Sequence, residues 1–301
     1  TGRADDSKFL PILYYLDKSD DWQDPKMWAK CNPQLGKSIP EQYYIDNVKK
    51  ALMDPTWINS FKRLYMNIQT QSENKFLDFL KWEASEMDKD TDLTGQDCYG
   101  GLDLAFKSDL CCFVLEFPLD GKYYIKTLMW IPEEHPQINF YKNKGWLDNG
   151  DIKTTPGNGI DFKQVREDIV EFCKPYNPIE IGYDNRFATE LVQTLYSDHD
   201  LPMIEVNQSP RYLSEPLKDI AVSILDDKFL HDGNVAASWQ IGNASSKELD
   251  GGLIKLVKPT GKDTTLAKID FIAALSMSHF RVIASEEDIG ALLDSDDYSI
   301  F

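Results

Sequence analysis

Histidine and cysteine are scarce in this sequence, and neither is spaced to hold a metal. Four histidines and five cysteines are spread over 301 residues. His135, His199 and His279 have no Cys or His partner at zinc-ligand spacing, which argues against a structural zinc site. The cysteines (Cys31, Cys98, Cys111, Cys112 and Cys173) are odd in number, which counts against a disulfide framework; they are read as reduced core residues. Two Asn-x-Ser matches, at Asn207 and Asn243, are then coincidental. No apolar run approaches the roughly 20 residues that span a bilayer, and the opening residues are polar rather than signal-like, so no membrane role is expected. Positive charge is also short. Against 50 Asp and Glu stand 32 Lys and Arg, a net charge of −18. That balance disfavours a protein that grips nucleic acid by charge alone. Part of the excess is local, because Glu286, Glu287, Asp288, Asp294, Asp296 and Asp297 fall in one stretch with no base, a pattern expected of a solvated tail. A phosphate-binding loop is missing too. Gly36-Lys37-Ser38 imitates the end of one, but Cys31 stands where its first glycine belongs and no strand precedes it. ATP hydrolysis by this chain alone is therefore not expected.

What is present is a globular composition, with 42% hydrophobic and 12% aromatic residues. The run Phe9 to Leu16 reads as a short apolar strand. From Pro25 to about Asp90 the pattern is helical, with apolar residues three and four apart over Glu41–Met53 and Thr56–Tyr65 and tryptophans at 22, 28, 57 and 82 as packing anchors. The polar stretch Asp88 to Gln96 marks a boundary. Beyond it, Cys98–Ala105 and Leu110–Phe117 read as strands, and Pro118-Leu119-Asp120-Gly121 as a hairpin turn into Tyr123–Trp130. A helix over Asp161–Lys174 capped by Asp161, a strand at Ile179–Tyr183, a helix at Phe187–Tyr196, a strand at Met203–Val206 and a helix at Leu213–Leu225 follow. A second hairpin-like region and a long helix over about Leu266–Phe280 complete the pattern. Such an order predicts an α/β fold, a hairpin-led mixed sheet flanked by helices. The expected divisions are 1–18, 19–92 and 93–301.

Three aspartates carry the chemistry. Asp103 follows Gly100-Gly101-Leu102, Asp184 ends the run Ile179-Glu180-Ile181-Gly182-Tyr183, and Asp270 lies in the first turn of the last helix. A carboxylate among apolar residues is costly to bury unless something positive compensates it. Glycines beside a strand permit close approach of a ligand, and strand ends of open α/β sheets are where ligands sit. Three carboxylates converging from separate elements suit a hard cation such as Mg²⁺ or Mn²⁺, and that points to phosphodiester chemistry.

A wider set of motifs resembles one family. Asp20-Asp21-Trp22, Trp28-Ala29-Lys30 and Asn32-Pro33 come first, then Gly101-Leu102-Asp103-Leu104-Ala105 with Ser108-Asp109-Leu110. Thr155-Pro156-Gly157-Asn158 with Ile160-Asp161, Tyr183-Asp184, His231-Asp232-Gly233-Asn234 and Lys268-Ile269-Asp270 follow. Together they resemble the C-terminal nuclease half of the large terminase subunit of tailed bacteriophages, the motor that packages and cuts viral DNA. The resemblance implies an RNase H-like fold, preceded by the last strand of an ATPase domain (1–18) and a helical linker (19–92). It implies two divalent metals, Mg²⁺ or Mn²⁺, held by Asp103, Asp184 and Asp270, cleavage of double-stranded DNA, a small terminase subunit and a portal protein as partners, and the host cytoplasm as location. Val235 departs from the family, where proline often follows the Gly-Asn pair.

Auxiliary candidates are Asp109, expected to play a supporting or turn role, His231, expected mainly to shape its turn, and Lys262 and Lys268, which with Lys258 could meet phosphate. Two other readings stand beside the nuclease: a non-catalytic DNA clamp or portal-docking module, and another RNase H-like recombinase or resolvase.

Overall fold

Asp120 and Gly121 both adopt positive φ, +53° and +72°. Such a pair turns the chain with the right-handed twist its flanking strands need. It joins β2 (Cys111–Leu119) to β3 (Lys122–Pro132) in register from Cys111 opposite Trp130 to Leu119 opposite Lys122. β1 (Asp97–Asp103) lies antiparallel to β2 on the other side, and the expected hairpin-led sheet begins there.

This computed structural model describes residues 13–17, 20–53, 61–62, 65–67, 75–105, 109–185, 189–258 and 267–294. The chain forms two compact units, Thr1–Asn74 and Lys75–Phe301. In the first, α1 (Trp28–Cys31) and α2 (Glu41–Met53) surround a core containing Trp28, Tyr44, Phe61 and Met66. Trp28 donates its indole N–H to the Trp22 carbonyl at 2.9 Å, and Tyr44 its hydroxyl to the Tyr65 carbonyl at 2.9 Å. The expected helix over Thr56–Tyr65 and the start of the expected strand at Phe9 fall mainly outside the described residues; Leu13 to Asp17 carries no regular structure.

The second unit begins earlier than the expected boundary near residue 92. Phe76, Leu77 and Trp82 are buried in its core, and Trp82, on α3 (Phe79–Glu83), meets Phe271 edge-on at 5.8 Å. A polar stretch thus lies inside the unit rather than at its edge, because the aromatic anchors ahead of it have their apolar partners there. Besides β1 to β3 the sheet contains β4 (Lys153–Thr155), β5 (Asn177–Tyr183), β6 (Met203–Glu205) and β7 (Phe229–His231). Their order is β4-β3-β2-β1-β5-β6, with β7 pairing along the other end of β3. β5 and β6 run parallel to β1, so the sheet is mixed. Between them α5 (Phe162–Cys173), capped by Asp161 as expected, and α6 (Thr189–His199) cover one face. α3, α4 (Ile138–Asn143), α7 (Pro210–Leu225), α8 (Val235–Asn243) and α9 (Asp270–Asp294) cover the other. The hairpin of β8 (Ser245–Glu248) and β9 (Ile254–Val257) stands apart as a two-stranded sheet. β7 and α8 occupy the region that reads only as hairpin-like in the sequence.

Candidate metal centre

Side chains alternate across a strand. On β2, Cys112 and Val114 enter the core beneath α9 while Cys111 and Phe113 enter the opposite one. On β1 and β5 the positions facing α9 are glycines. A Cβ at Gly101 would lie 1.9 Å from the Ala274 carbonyl oxygen, and one at Gly182 would lie 3.1 Å from that of Met277. Helix α9 therefore rests directly on the backbone of two neighbouring strands, which no other residue type would allow at Gly101. Two residues beyond each glycine, on the same face by alternation, come Asp103 and Asp184. The parallel register pairs Leu102 with Tyr183, so these aspartates end adjacent strands about 5 Å apart along the sheet. One turn before Ala274, α9 supplies Asp270 from its first turn, where the helix dipole favours a negative charge.

Burial, and then the charges of Asp270, Asp184 and Asp109, push the Asp103 carboxyl well above the ordinary carboxylate range. Burial likewise raises Asp270 to about 6, with Asp109 adding to the effect and Lys258 and Lys268 opposing it. Asp270 is 7% exposed, and its Oδ2 is buried without a hydrogen-bond partner among the described residues. A buried carboxylate oxygen with no donor is costly, and it is a fitting ligand for a cation. The carboxylates face one another across Coulombic rather than coordinating distances: among the described residues no three His, Cys, Asp or Glu side chains gather closely enough to enclose an ion. Beside Asp184 opens a cleft of about 390 Å³ bounded by Glu205, Asn207, Gln208 and Ser209.

Asp109 is held by two lysines. Lys268 Nζ donates to its Oδ1 at 2.6 Å and Lys258 Nζ at 3.4 Å. Burial works against the ionised form of Asp109, but these two cations prevail and hold its carboxyl below the usual value. Lys268 is 5% exposed, not a solvated side chain awaiting phosphate. Lys262 lies outside the described residues. His231 is buried at the far end of β3, stacked on Trp82 with ring centroids 4.4 Å apart. Its Nδ1 accepts from the Gly233 N–H at 3.1 Å, which leaves Nε2 to donate to the Trp82 carbonyl at 2.8 Å. Both nitrogens are spent on the fold, so His231 shapes its turn and is not an auxiliary of the carboxylates. Val235 has a local reason to differ from proline: its N–H donates to Asp151 Oδ1 at 3.0 Å.

One cluster escapes sequence reasoning. His279, read as incidental, is fully buried on α9, with Nδ1 2.6 Å from Glu116 Oε1 and Nε2 2.8 Å from Asp219 Oδ2. Ser278 donates to Glu116 Oε2 at 2.7 Å. Burial alone would lower the His279 pKa; the two carboxylates overcome it and push it up to about 9. This hydrogen-bonded set ties α9 to β2 and α7. The signal was Glu116, a lone charge in the apolar run Cys111–Leu119, the same oddity that singles out Asp103.

Comparison with known proteins adds to this geometry. Protein YmfN of Escherichia coli strain K12 is 28% identical over 304 residues, covering 95% of this chain and 66% of its own length. The large terminase subunit of Enterobacteria phage HK97 is 24% identical over 287 residues, covering 92% of this chain and 55% of its own. The crystal structure of the HK97 bacteriophage large terminase superposes with a TM-score of 0.59 at 23% identity, over 89% of this chain and 56% of that one. The fold is accordingly the RNase H-like mixed sheet of terminase nucleases. The chain spans between 55% and 66% of the length of these curated relatives. The pattern of the terminase large subunit endonuclease domain matches residues 3–286, and the chain belongs to that family.

Proposed function

We propose that the chain is the metal-dependent endonuclease part of a viral genome-packaging motor, cutting concatemeric double-stranded DNA. The observation that carries this reading is the pair of strand-end aspartates on a glycine floor, facing a third aspartate whose buried Oδ2 has no donor among the described residues. Asp103, Asp184 and Asp270 would hold two divalent ions, Mg²⁺ or Mn²⁺. When bound, such ions activate water and neutralise charge at the scissile phosphate and its leaving oxygen. Asp103, central and repelled by the other carboxylates, is the side chain best suited to bridge. Divalent ions held there would offset that repulsion, since each of the three is an oxygen donor suited to a hard cation. Asp109, braced by Lys258 and Lys268, keeps a fixed negative charge beside the site and orients it without ligating. No recognition helix or base-reading motif is evident in the sequence, so cleavage with little sequence preference is expected. The first unit, up to Asn74, would belong to the end of an ATPase domain and a linker, and a small terminase subunit and a portal would direct the cutting in the host cytoplasm.

The test is plasmid nicking with Mn²⁺. Asp103→Asn, Asp184→Asn and Asp270→Asn should each lose at least about 100-fold in rate, the scale at which removing one charge-stabilising group acts. Equal activity in all four proteins would refute the assignment. A clamp or docking module would bind DNA and leave it whole, and a resolvase would prefer branched to linear duplex.

A further inference from the structure

Tyr141 lies on α4, on the same face of the sheet as α9, and is fully buried. Its ring is fixed by neighbours, with Phe140 5.3 Å away, Trp146 6.0 Å and Trp239 6.3 Å. A phenol placed only for packing needs no hydroxyl, and a buried hydroxyl normally finds a partner. That of Tyr141 has none among the described residues. The same is true of Asp270 Oδ2. One is a donor without an acceptor and the other an acceptor without a donor. Helix α8 touches both neighbourhoods, since Trp239 packs on Tyr141 and Gln240 Oε1 accepts the N–H of Phe271 at 2.9 Å. Cys112, the register partner of Asp103 across β1 and β2, belongs to the same buried cluster as Tyr141. The charges of Asp270 and Asp109 reach the phenol and, after burial, disfavour its ionisation, so it remains a donor.

We propose that Tyr141 is a positioning residue of the acidic site, its hydroxyl donating to Asp270 Oδ2 through one water and so fixing the carboxylate in the orientation that receives a divalent ion. This rests on the reading of Asp270 as a metal ligand. It assigns to α4, an element outside the three that supply the carboxylates, a share in shaping the site.

Tyr141→Phe tests it, because it keeps the ring and removes only the oxygen. Mn²⁺ binding to the metal-free full chain is measured by calorimetry, alongside Asp270→Asn and Tyr44→Phe, the latter a hydroxyl deletion in the first unit. The expected result is affinity about tenfold weaker for Tyr141→Phe, the scale of one lost hydrogen bond to a charged group, with Tyr44→Phe unchanged and Asp270→Asn weaker still. Nicking at saturating DNA should fall in parallel, with KM for DNA unchanged. If the hydroxyl is merely a packing flaw, its removal leaves Mn²⁺ affinity at the native value and raises the melting temperature of the metal-free protein; native affinity in Tyr141→Phe overturns the proposal. Native affinity in Asp270→Asn instead overturns the metal-ligand reading beneath it.

Discussion

His279 is the residue whose environment most constrains the behaviour of the isolated protein. Its folded pKa of about 9 exceeds the ordinary value near 6.5. The folded state thus holds the proton more tightly than the unfolded one. The resulting stabilisation is complete below about pH 6.5 and drains away as pH climbs toward 9. Melting temperatures of the native chain should fall across that window more steeply than those of His279→Gln. His279→Ala should cost about 3–5 kcal/mol in chemical denaturation, since it removes one partner of a buried hydrogen-bonded pair. Asp270 behaves in the opposite sense toward cations. With its carboxyl raised to about 6, a proton competes with any ion for it, so Mn²⁺ affinity measured by calorimetry should strengthen from pH 5 to pH 7. The three aspartates were legible because each interrupts an apolar run. His279 was not, because its partners stand 163 and 60 residues away in sequence, and a single sequence does not display such pairings.

Among the elements, α9 and the two glycines beneath it set the geometry of the site. Gly101→Ala would drive a methyl into the Ala274 carbonyl at 1.9 Å. Because the clash is with backbone, the helix must lift, at a cost of about 1–3 kcal/mol or more. Nicking should fall with it, since Asp270 rides on the same helix; a native rate and melting temperature for this variant would contradict the close seating. Much at this scale was readable. The Pro118-Leu119-Asp120-Gly121 turn between two apolar runs announced β2 and β3, and Asp161 announced the start of α5. Helix α8 was hidden because Val235-Ala236-Ala237-Ser238 has little amphipathic pattern, although Asn234, whose Oδ1 accepts the Ala237 N–H at 2.9 Å, was a usable start signal. β7 is only three residues long and takes its place from pairing with β3, which local sequence does not encode.

At the scale of the molecule, the division falls where apolar anchors find partners, not where polar residues cluster. A fragment starting at Lys75 should melt cooperatively, whereas one starting at Leu93 loses Phe76, Leu77 and Trp82 from the core and should be less stable by several kcal/mol. Paired denaturation curves decide this. The charge of −18 also shapes how duplex can be held. Without divalent ions, binding measured by fluorescence anisotropy should be weak and fade quickly as salt rises, and Ca²⁺ or Mn²⁺ should strengthen it markedly. The α/β class was plain from the sequence; the close approach of helix to sheet and the extent of each unit came only with three-dimensional pairing.

The seating of α9 has a consequence for synthesis. A ribosome completes β1 and β5 well before it reaches residue 270, so an unfinished polypeptide carries two of the acids and a bare glycine track, but not the lid that brings the third. The proposed site would stay unassembled through most of translation, and a message cut short before that helix would yield a protein lacking it.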